Sequence, residues 1–393
     1  MRLPDDFSLC CPLKTNCGSH ALSHLPMELS ALNAHAPLIL ANRDQIGNKR
    51  ISIIIDAFKT SGLTLGIYDR LPDRLQPDLM PVLTRIYRDG GCDSIIAVGS
   101  GSVVDVAKCL NMLVSAGDRG MQDDSGREMS DPGPLRPMML VATTGGNGDE
   151  ATGYASDGGR RLGSPRLIPN VVFIDPSMMG ESDDQDVVDG ALIALAHAVE
   201  AFLDDSAGPM CRAYAHTAIG LIVNFLPGAL RKSNRGKKLF AVINGQMAAG
   251  CAFFASSPGI CHVLGTGLKE WTDLPRGFLM AILLPHLLVE AGALQPERVG
   301  ELLYPIVGTD IFALTAADFK TPRTIALFLE FFDAVNTELV LKIPSSLEDA
   351  GLTDDQIERV QSRVGNGPAD DHMARIIYGA RQSATLVTGQ SCP

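Results

Sequence analysis

Short apolar runs of about five residues alternate with helix-like segments through the first part of the chain. The clearest runs are PLILA at 37–41 and SIIAV at 94–98, each between polar or glycine-containing turns. Strands of this length, separated by segments with helical periodicity, are typical of a parallel sheet with crossover helices. The predicted strands are 37–41, 63–68, 94–98, 138–142 and 170–175, and the predicted helices between them include 50–58 and 78–89.

The pattern of apolar positions becomes helical after Asp175-Pro176, and none of the later segments has the alternation of a strand. We therefore predict two domains, an α/β domain at residues 1–180 and an all-helical domain at residues 181–393. A ligand shared by two such domains is expected in the cleft between them. The later predicted helices are 189–202, 213–225, 240–255, 278–291, 315–336 and 354–364.

Composition limits the classes of partner. The chain has 393 residues, 46% hydrophobic and 20% charged, with a formal net charge of −12. Nucleic acid and anionic membranes are excluded as main partners, because binding them needs clustered lysine and arginine. The apolar region 239–264 is interrupted by polar residues and glycine, so it is not expected to span a membrane. Nine cysteines without a C-x-x-C spacing indicate reduced thiols and a cytoplasmic protein.

A glycine turn follows the strand predicted at 94–98. Its residues are Gly99, Ser100, Gly101 and Ser102, with Asp105 one turn into the next helix. Glycines allow the backbone to approach a pyrophosphate, and a helix N-terminus favours negative charge. The spacing is neither G-x-G-x-x-G nor a Walker A motif. A dinucleotide site and a plain tight turn are equally supported by this spacing alone.

A second stretch of small polar residues follows the strand predicted at 138–142. Thr143, Thr144 and Asn147 offer two hydroxyls and an amide, which suit hydrogen bonds to ribose, phosphate or a carboxamide. The alternative is an ordinary surface loop, and this stretch by itself favours the loop.

Taken together, the motifs resemble those of the iron-dependent (group III) alcohol dehydrogenases. The resemblance covers roughly residues 10–380, with the motifs in the family's order. It implies a Rossmann-like dinucleotide-binding α/β domain followed by a helical domain, the architecture shared with dehydroquinate synthase. It also implies a nicotinamide cofactor, NAD or NADP, on the first domain and iron or zinc on the second. The similar segments are VGSGSVVDVAK at 98–108, TTGGNGDEAT at 143–152, NVVFIDP at 170–176, LAHAVE at 195–200, GICH at 259–262 and AILLPH at 281–286.

The resemblance breaks at the metal site. The family holds its metal with one aspartate and three histidines, and His197 and His262 match two of these ligands. The aspartate position is Ile193 and the third histidine position is Arg276, which cannot ligate a cation. Since a catalytic zinc ordinarily needs three protein ligands, bound Fe²⁺ or Zn²⁺ is not expected. Asp189, one turn before Ile193, is interpreted as an acid near the helix N-terminus.

The resemblance also indicates further cofactor contacts. Asn42, after the first predicted strand, stands where an acid commonly selects NAD, and Arg43 beside it favours NADP. Asp73 matches an asparagine near the adenine side. The loop between 152 and 169 is shorter than in the family, and Arg161 or its neighbour Arg160 is the candidate replacement for a cofactor-contacting lysine.

Three functions remain open. The first is a metal-dependent alcohol dehydrogenase, which the ligand set argues against. The second is an NAD(P)-dependent carbonyl reductase with little or no metal dependence, in which His262, His197 and Arg276 are the catalytic candidates; CHVLG at 261–265 resembles a motif of maleylacetate reductases. Its substrate would be a small carbonyl or alcohol compound that could carry a carboxylate. The third is a catalytically inactive dinucleotide-binding or regulatory homologue. We favour the second, and the apolar helices are compatible with a homodimer.

Overall fold

The computed structural model describes residues 7, 9–72, 76, 78–116, 134–143, 145–157, 160–179, 183–231, 235–364 and 370–381, without the side chains of 43–46, 48, 157, 160, 161, 364 and 370. The chain divides into two compact units. One is Cys10–Ser182, and the other is Asp183–Pro393 together with Met1–Leu9.

Six strands form a parallel sheet in the first unit, as the alternating pattern predicts. They are β1 Lys14–Cys17, β2 Pro37–Ala41, β3 Gly66–Tyr68, β4 Ser94–Val98, β5 Met138–Val141 and β8 Val171–Ile174. Their order in the sheet is β1-β8-β5-β4-β2-β3. β2, β4, β5 and β8 are buried along their whole length, which is why they read as continuous apolar runs.

Two features of this unit were not predicted. The edge strand β1 has the sequence KTNC and is largely exposed, so it lacks an apolar run. Strands β6 Tyr154–Asp157 and β7 Arg160–Gly163 form an antiparallel hairpin whose sequences are mainly polar. Hydrophobic periodicity indicates a strand only where one of its faces is buried, and these strands have few buried apolar residues.

Four α-helices accompany the sheet among the described residues of this unit. They are α1 Leu25–Ala31, α2 Arg43–Ala57, α3 Leu79–Asp89 and α4 Ser102–Ala116. Within α2, Gly47 has φ 75° and ψ 152°, so the regular helix begins after it, close to the predicted start. One face of the sheet packs on α1 and α2 in an apolar core that includes Leu25, Ile54 and Phe173.

The second unit is helical, and no strand lies among its described residues. Its helices are α5 Asp184–Leu203, α6 Pro209–Ala229, α7 Arg235–Phe254, α8 Ile260–Leu268, α9 Arg276–Leu294, α10 Pro296–Glu301, α11 Leu303–Leu314, α12 Ala317–Glu338, α13 Asp354–Val364 and α14 Asp370–Arg381. Of the helices described, α9 alone is long and apolar enough to cross a bilayer. However, its Phe278, Leu279 and Leu283 are fully buried in the helical core, which identifies α9 as a core helix.

Candidate functional site

The carboxyl edge of the sheet gathers three of the predicted cofactor segments. Chain order and sheet order diverge at β2, since β3 lies on one side of it and β4 on the other. In open parallel sheets, ligands bind outside the carboxyl ends of strands at such a switch point. Ala41 pairs with Val98, and Val98 pairs with Val141, so the three strands end in register. The loops after β2, β4 and β5 therefore leave the sheet side by side.

The turn after β4 leaves open space beside the start of a helix. Gly99 has φ 152°, and a Cβ there would lie 2.9 Å from a methyl of Val103. Gly101 has φ 53°, in the left-handed region, and nothing lies within 4 Å of a Cβ built on it. Helix α4 begins at Ser102, so the positive end of its dipole points at this open space. The chain thus fits a dinucleotide phosphate here.

Lys108 fixes the loop after β5 against α4, a role that was not predicted from the sequence. Its side chain is completely buried, and Nζ donates to the carbonyl oxygens of Asp149 at 2.7 Å, Thr152 at 2.7 Å and Tyr154 at 2.8 Å. Burial lowers the pKa of Lys108, while the neighbouring carboxylates of Asp149 and Asp105 oppose that shift. A lysine on the buried side of the otherwise apolar helix was the signal that could have revealed it.

The loop after β5 uses much of its polarity internally. Asn147 donates from Nδ2 to the carboxylate of Asp149 at 2.8 Å and accepts the Asp149 N–H at 3.0 Å. Glu150 is buried and accepts the N–H of Gly148 at 3.1 Å. Burial raises the pKa of Glu150 to about 7. Thr143 is also buried, at the end of the strand. The loop is a hydrogen-bonded structure, not the plain surface loop that the small residues alone favoured.

Two other predicted contact residues have defined surroundings. Asn42 is 4% exposed, and its backbone bridges to Arg70 beyond the end of β2. Asp105 accepts the N–H of Ser156 at 3.0 Å, which ties α4 to the β6–β7 hairpin. Asp73 and Thr144 lie outside the described residues, and so does the side chain of Arg161.

In the helical unit, the two candidate histidines contact each other directly. His197 on α5 and His262 on α8 lie with Nε2 and Nδ1 at 2.8 Å, a hydrogen-bonding distance. The ring of His197 stacks on Phe253 of α7, with centroids 3.9 Å apart and planes 9° from parallel. His197 is 1% exposed, whereas His262 is partly exposed. Of the pair, His262 is therefore the ring that a ligand can reach.

Glu200, one turn after His197, holds the start of α8. Its carboxylate accepts the N–H of Cys261 at 2.5 Å and the N–H of His262 at 3.2 Å. Burial raises the pKa of Glu200 to about 7, against the opposing effect of these two donors. Burial and the adjacent Glu200 raise the pKa of the Cys261 thiol, so this cysteine is not activated as a nucleophile.

The side chains at the other two ligand positions that the resemblance implies do not fit a catalytic iron or zinc. Ile193 is 4% exposed and belongs to the apolar core. Arg276, half-buried at the first position of α9, carries no lone pair for a cation. Within the described part of the chain, no group of three or more His, Cys, Asp or Glu side chains could hold a metal. The direct bond between His197 and His262 also engages a ring nitrogen of each with the other.

Asp189 differs from its interpretation as an acid near the N-terminus of its own helix. It is not in the first turn of its own helix; instead its carboxylate accepts the N–H of Gly277 at 2.5 Å, in the first turn of α9. Burial raises the pKa of Asp189, and the Gly277 N–H and the Arg276 guanidinium oppose the shift. No hydrogen bond or ion pair to another described residue holds the guanidinium of Arg276.

Comparisons with known proteins agree with both units. The sequence profile of the family described as iron-containing alcohol dehydrogenase matches residues 12–176, and that of the Fe-containing alcohol dehydrogenase family, C-terminal, matches residues 187–367. The chain is 26% identical to the NAD-dependent methanol dehydrogenase of Bacillus methanolicus over 340 residues, which is 80% of this chain and 85% of that protein.

Solved structures share the fold. A 1,3-propanediol oxidoreductase superposes with a TM-score of 0.82 at 22% identity, over 95% of this chain and all of that one. The maleylacetate reductase from Rhizobium sp. strain MTP-10005 superposes with a TM-score of 0.73 at 17% identity, over 97% of this chain and 99% of that one. The predicted architecture is confirmed, and so is the structural likeness to maleylacetate reductases.

Proposed function

We propose that this chain interconverts alcohols and aldehydes with little or no dependence on a metal. The chain belongs to the iron-containing alcohol dehydrogenase family, which carries out this interconversion. The observation that carries the proposal is the hydrogen bond between His197 and His262. The other two ligand positions that the resemblance implies are Ile193 and Arg276. A side chain that cannot ligate occupies each of those two positions.

The proposed cofactor is NAD or NADP, with its pyrophosphate at Gly99–Ser102. The left-handed Gly101, the open space beside it and the N-terminus of α4 support this placement. A dinucleotide bound there would supply or accept the hydride through its nicotinamide. Asn42 lies at the carboxyl end of β2, where it is the candidate contact to the ribose on the adenine side.

The proposed role of the histidine pair is to move the proton that accompanies the hydride. Reduction of a carbonyl adds a hydride to carbon and a proton to oxygen. His262 is the accessible member of the pair, so its ring donates that proton. The partly exposed ring of His262 then takes up a proton from solvent, while the hydrogen bond to His197 Nε2 holds the ring in position. Transfer from a positioned side chain contributes roughly 10²–10⁴-fold to a rate.

Arg276 is the basis for proposing a class of substrate, carbonyl compounds that can carry a carboxylate. A guanidinium held by no hydrogen bond or ion pair from another described residue can bind a carboxylate on the substrate or stabilise a developing oxyanion. We therefore expect small aldehydes or ketones, and among them oxo acids, to be the preferred carbonyl substrates.

The test measures NADH and NADPH oxidation with a panel of short aldehydes and oxo acids, using protein dialysed against chelator. We expect turnover to survive the chelator. In His262→Phe, kcat should fall by about 10²-fold or more, whereas the affinity for NAD(P)H should stay unchanged. His372→Gln is the matched control, since His372 on α14 pairs with Glu290 on α9, and it should behave as the original protein.

Two results would contradict the proposal. One is turnover that disappears with chelator and returns with iron or zinc. The other is a protein that binds NAD(P)H but reduces none of the panel, which would favour a dinucleotide-binding homologue without this activity.

A further inference from the structure

Glu200 connects the two helices that carry the histidines of the candidate site, through contacts that the proposed chemistry does not yet use. It lies three residues after His197 on α5, so both side chains leave the same face of that helix. Its carboxylate accepts the backbone N–H groups of Cys261 and His262, at 2.5 Å and 3.2 Å. Glu200 on α5 thus fixes the backbone of His262, whose ring is the hydrogen-bond partner of His197 on the same helix as Glu200.

The start of α8 depends on this carboxylate. The residue that precedes the helix, Gly259, provides no side-chain cap. Cys261 and His262 are the second and third residues of the helix, whose N–H groups have no partner within the helix itself. Glu200 therefore caps α8 from a neighbouring helix, whereas a capping side chain usually belongs to the residue that precedes the helix.

Gly259 makes room for the carboxylate. A Cβ built on Gly259 would overlap the carboxyl carbon and an oxygen of Glu200. The backbone of Gly259 has φ −86° and ψ 179°, a conformation open to any residue. The glycine is thus needed for space, not for its backbone freedom.

We propose that Glu200 is a positioning residue, which sets the ring of His262 against His197 by holding the first turn of α8, with Gly259 as the small residue that admits it. The inference rests on the proposed role of the histidine pair in proton transfer. Glu200 itself touches neither ring through a described hydrogen bond; it acts through the backbone of His262.

The test compares Glu200→Gln with Asp93→Asn. Asp93 likewise accepts two consecutive backbone N–H groups, those of His35 and Ala36, but it lies at the amino end of β4 in the first unit. Both changes replace a carboxyl oxygen by an amide nitrogen and weaken a pair of backbone hydrogen bonds. The readouts are ¹⁵N NMR of the imidazole nitrogens, melting temperature, affinity for NADH, and kcat and KM.

In Glu200→Gln we expect the ring signals of His197 and His262 to move and kcat to fall at least tenfold, with unchanged affinity for NADH. Asp93→Asn should leave those signals and kcat in place while it lowers the melting temperature. If Glu200→Gln lowers the melting temperature but leaves the ring signals unchanged, Glu200 is only a helix cap and the proposal is overturned.

Gly259→Ala provides a second route should Glu200→Gln fail to fold. Its methyl group displaces the carboxylate without removing it, and the same ring signals should move. Gly236→Ala is its control, because nothing lies within 4 Å of a Cβ on Gly236 in the first turn of α7. Ring signals that stay in place in Gly259→Ala also overturn the proposal. Moved signals in a protein that reduces no carbonyl would support the positioning role and contradict the proposed reaction.

Discussion

Arg276, which the resemblance places at the position of a histidine ligand, has an electrostatic partner in Asp189. Its guanidinium lowers the pKa of Asp189, which burial raises. Without Arg276 the pKa of Asp189 should rise further. A carboxyl whose folded pKa exceeds its unfolded value of about 3.9 binds protons more tightly in the folded state. Stability contributed by such a group is present at low pH and is lost as pH rises through the folded pKa.

The prediction for Arg276→Leu is therefore a penalty that depends on pH. We expect a loss of about 0.5 kcal/mol or less in the free energy of unfolding near pH 7, since Arg276 and Asp189 interact without a direct ion pair, and almost none near pH 4. Urea unfolding at both pH values measures it. In an Asp189→Asn background the same change should show no dependence on pH. An equal loss at both pH values would mean that Arg276 acts through packing.

The same residues show what the sequence could and could not predict at this scale. His197 and His262 could be identified because each lies in a recognisable motif. Their mutual hydrogen bond could not, since 65 positions separate them and only the packing of α5 on α8 brings them together. Lys108 is the last residue of the VGSGSVVDVAK motif, yet its three carbonyl acceptors come from residues 41 to 46 positions later.

Among the elements, those buried on both faces were predicted with the least error. β2 and β4 have the predicted bounds, because full burial requires unbroken apolar runs. α13 likewise begins and ends where predicted, since its apolar face alternates clearly with charged residues. The edge strand β1 and the β6–β7 hairpin have exposed or polar positions, and hydrophobic periodicity contains no signal for them.

The glycine turn between β4 and α4 yields a prediction at the scale of the element. A valine at Gly101 would strain the left-handed backbone, so its effect on cofactor affinity could not be separated from misfolding. Asparagine tolerates φ near 53° and would place its side chain in the open space at the start of α4. We expect Gly101→Asn to weaken NAD(P)H binding at least tenfold, measured by fluorescence titration, with the fold intact.

A glycine at the other end of the same strand is the control. Gly91 has φ 60°, and nothing lies within 4 Å of a Cβ built on it, but it precedes β4 at the amino edge of the sheet. Gly91→Asn should therefore introduce the same kind of change without altering cofactor affinity. Equal affinities in both variants would place the pyrophosphate elsewhere.

For the whole molecule, the decisive property is how much metal it retains. The fold is that of a family named for iron, while two of the four ligand positions that the resemblance implies are Ile193 and Arg276. Changes in residues around the ligands alone reduce metal affinity about 10–100-fold, so the loss of two ligands should reduce it further. We predict that the protein, purified without chelator and dialysed, retains much less than one iron or zinc per chain by elemental analysis.

Restoring the ligands should reverse that property. Ile193 lies one turn before His197 on α5, so an aspartate there would project from the same helix face. Ile193→Asp alone buries a carboxylate at a position that is 4% exposed, and should cost on the order of 3–5 kcal/mol. In Ile193→Asp/Arg276→His, zinc should bind and raise the melting temperature, whereas Ile193→Asn/Arg276→His, without the carboxylate, should respond weakly. A stoichiometric metal in the unaltered protein would contradict the prediction, because it would require ligands other than these four positions.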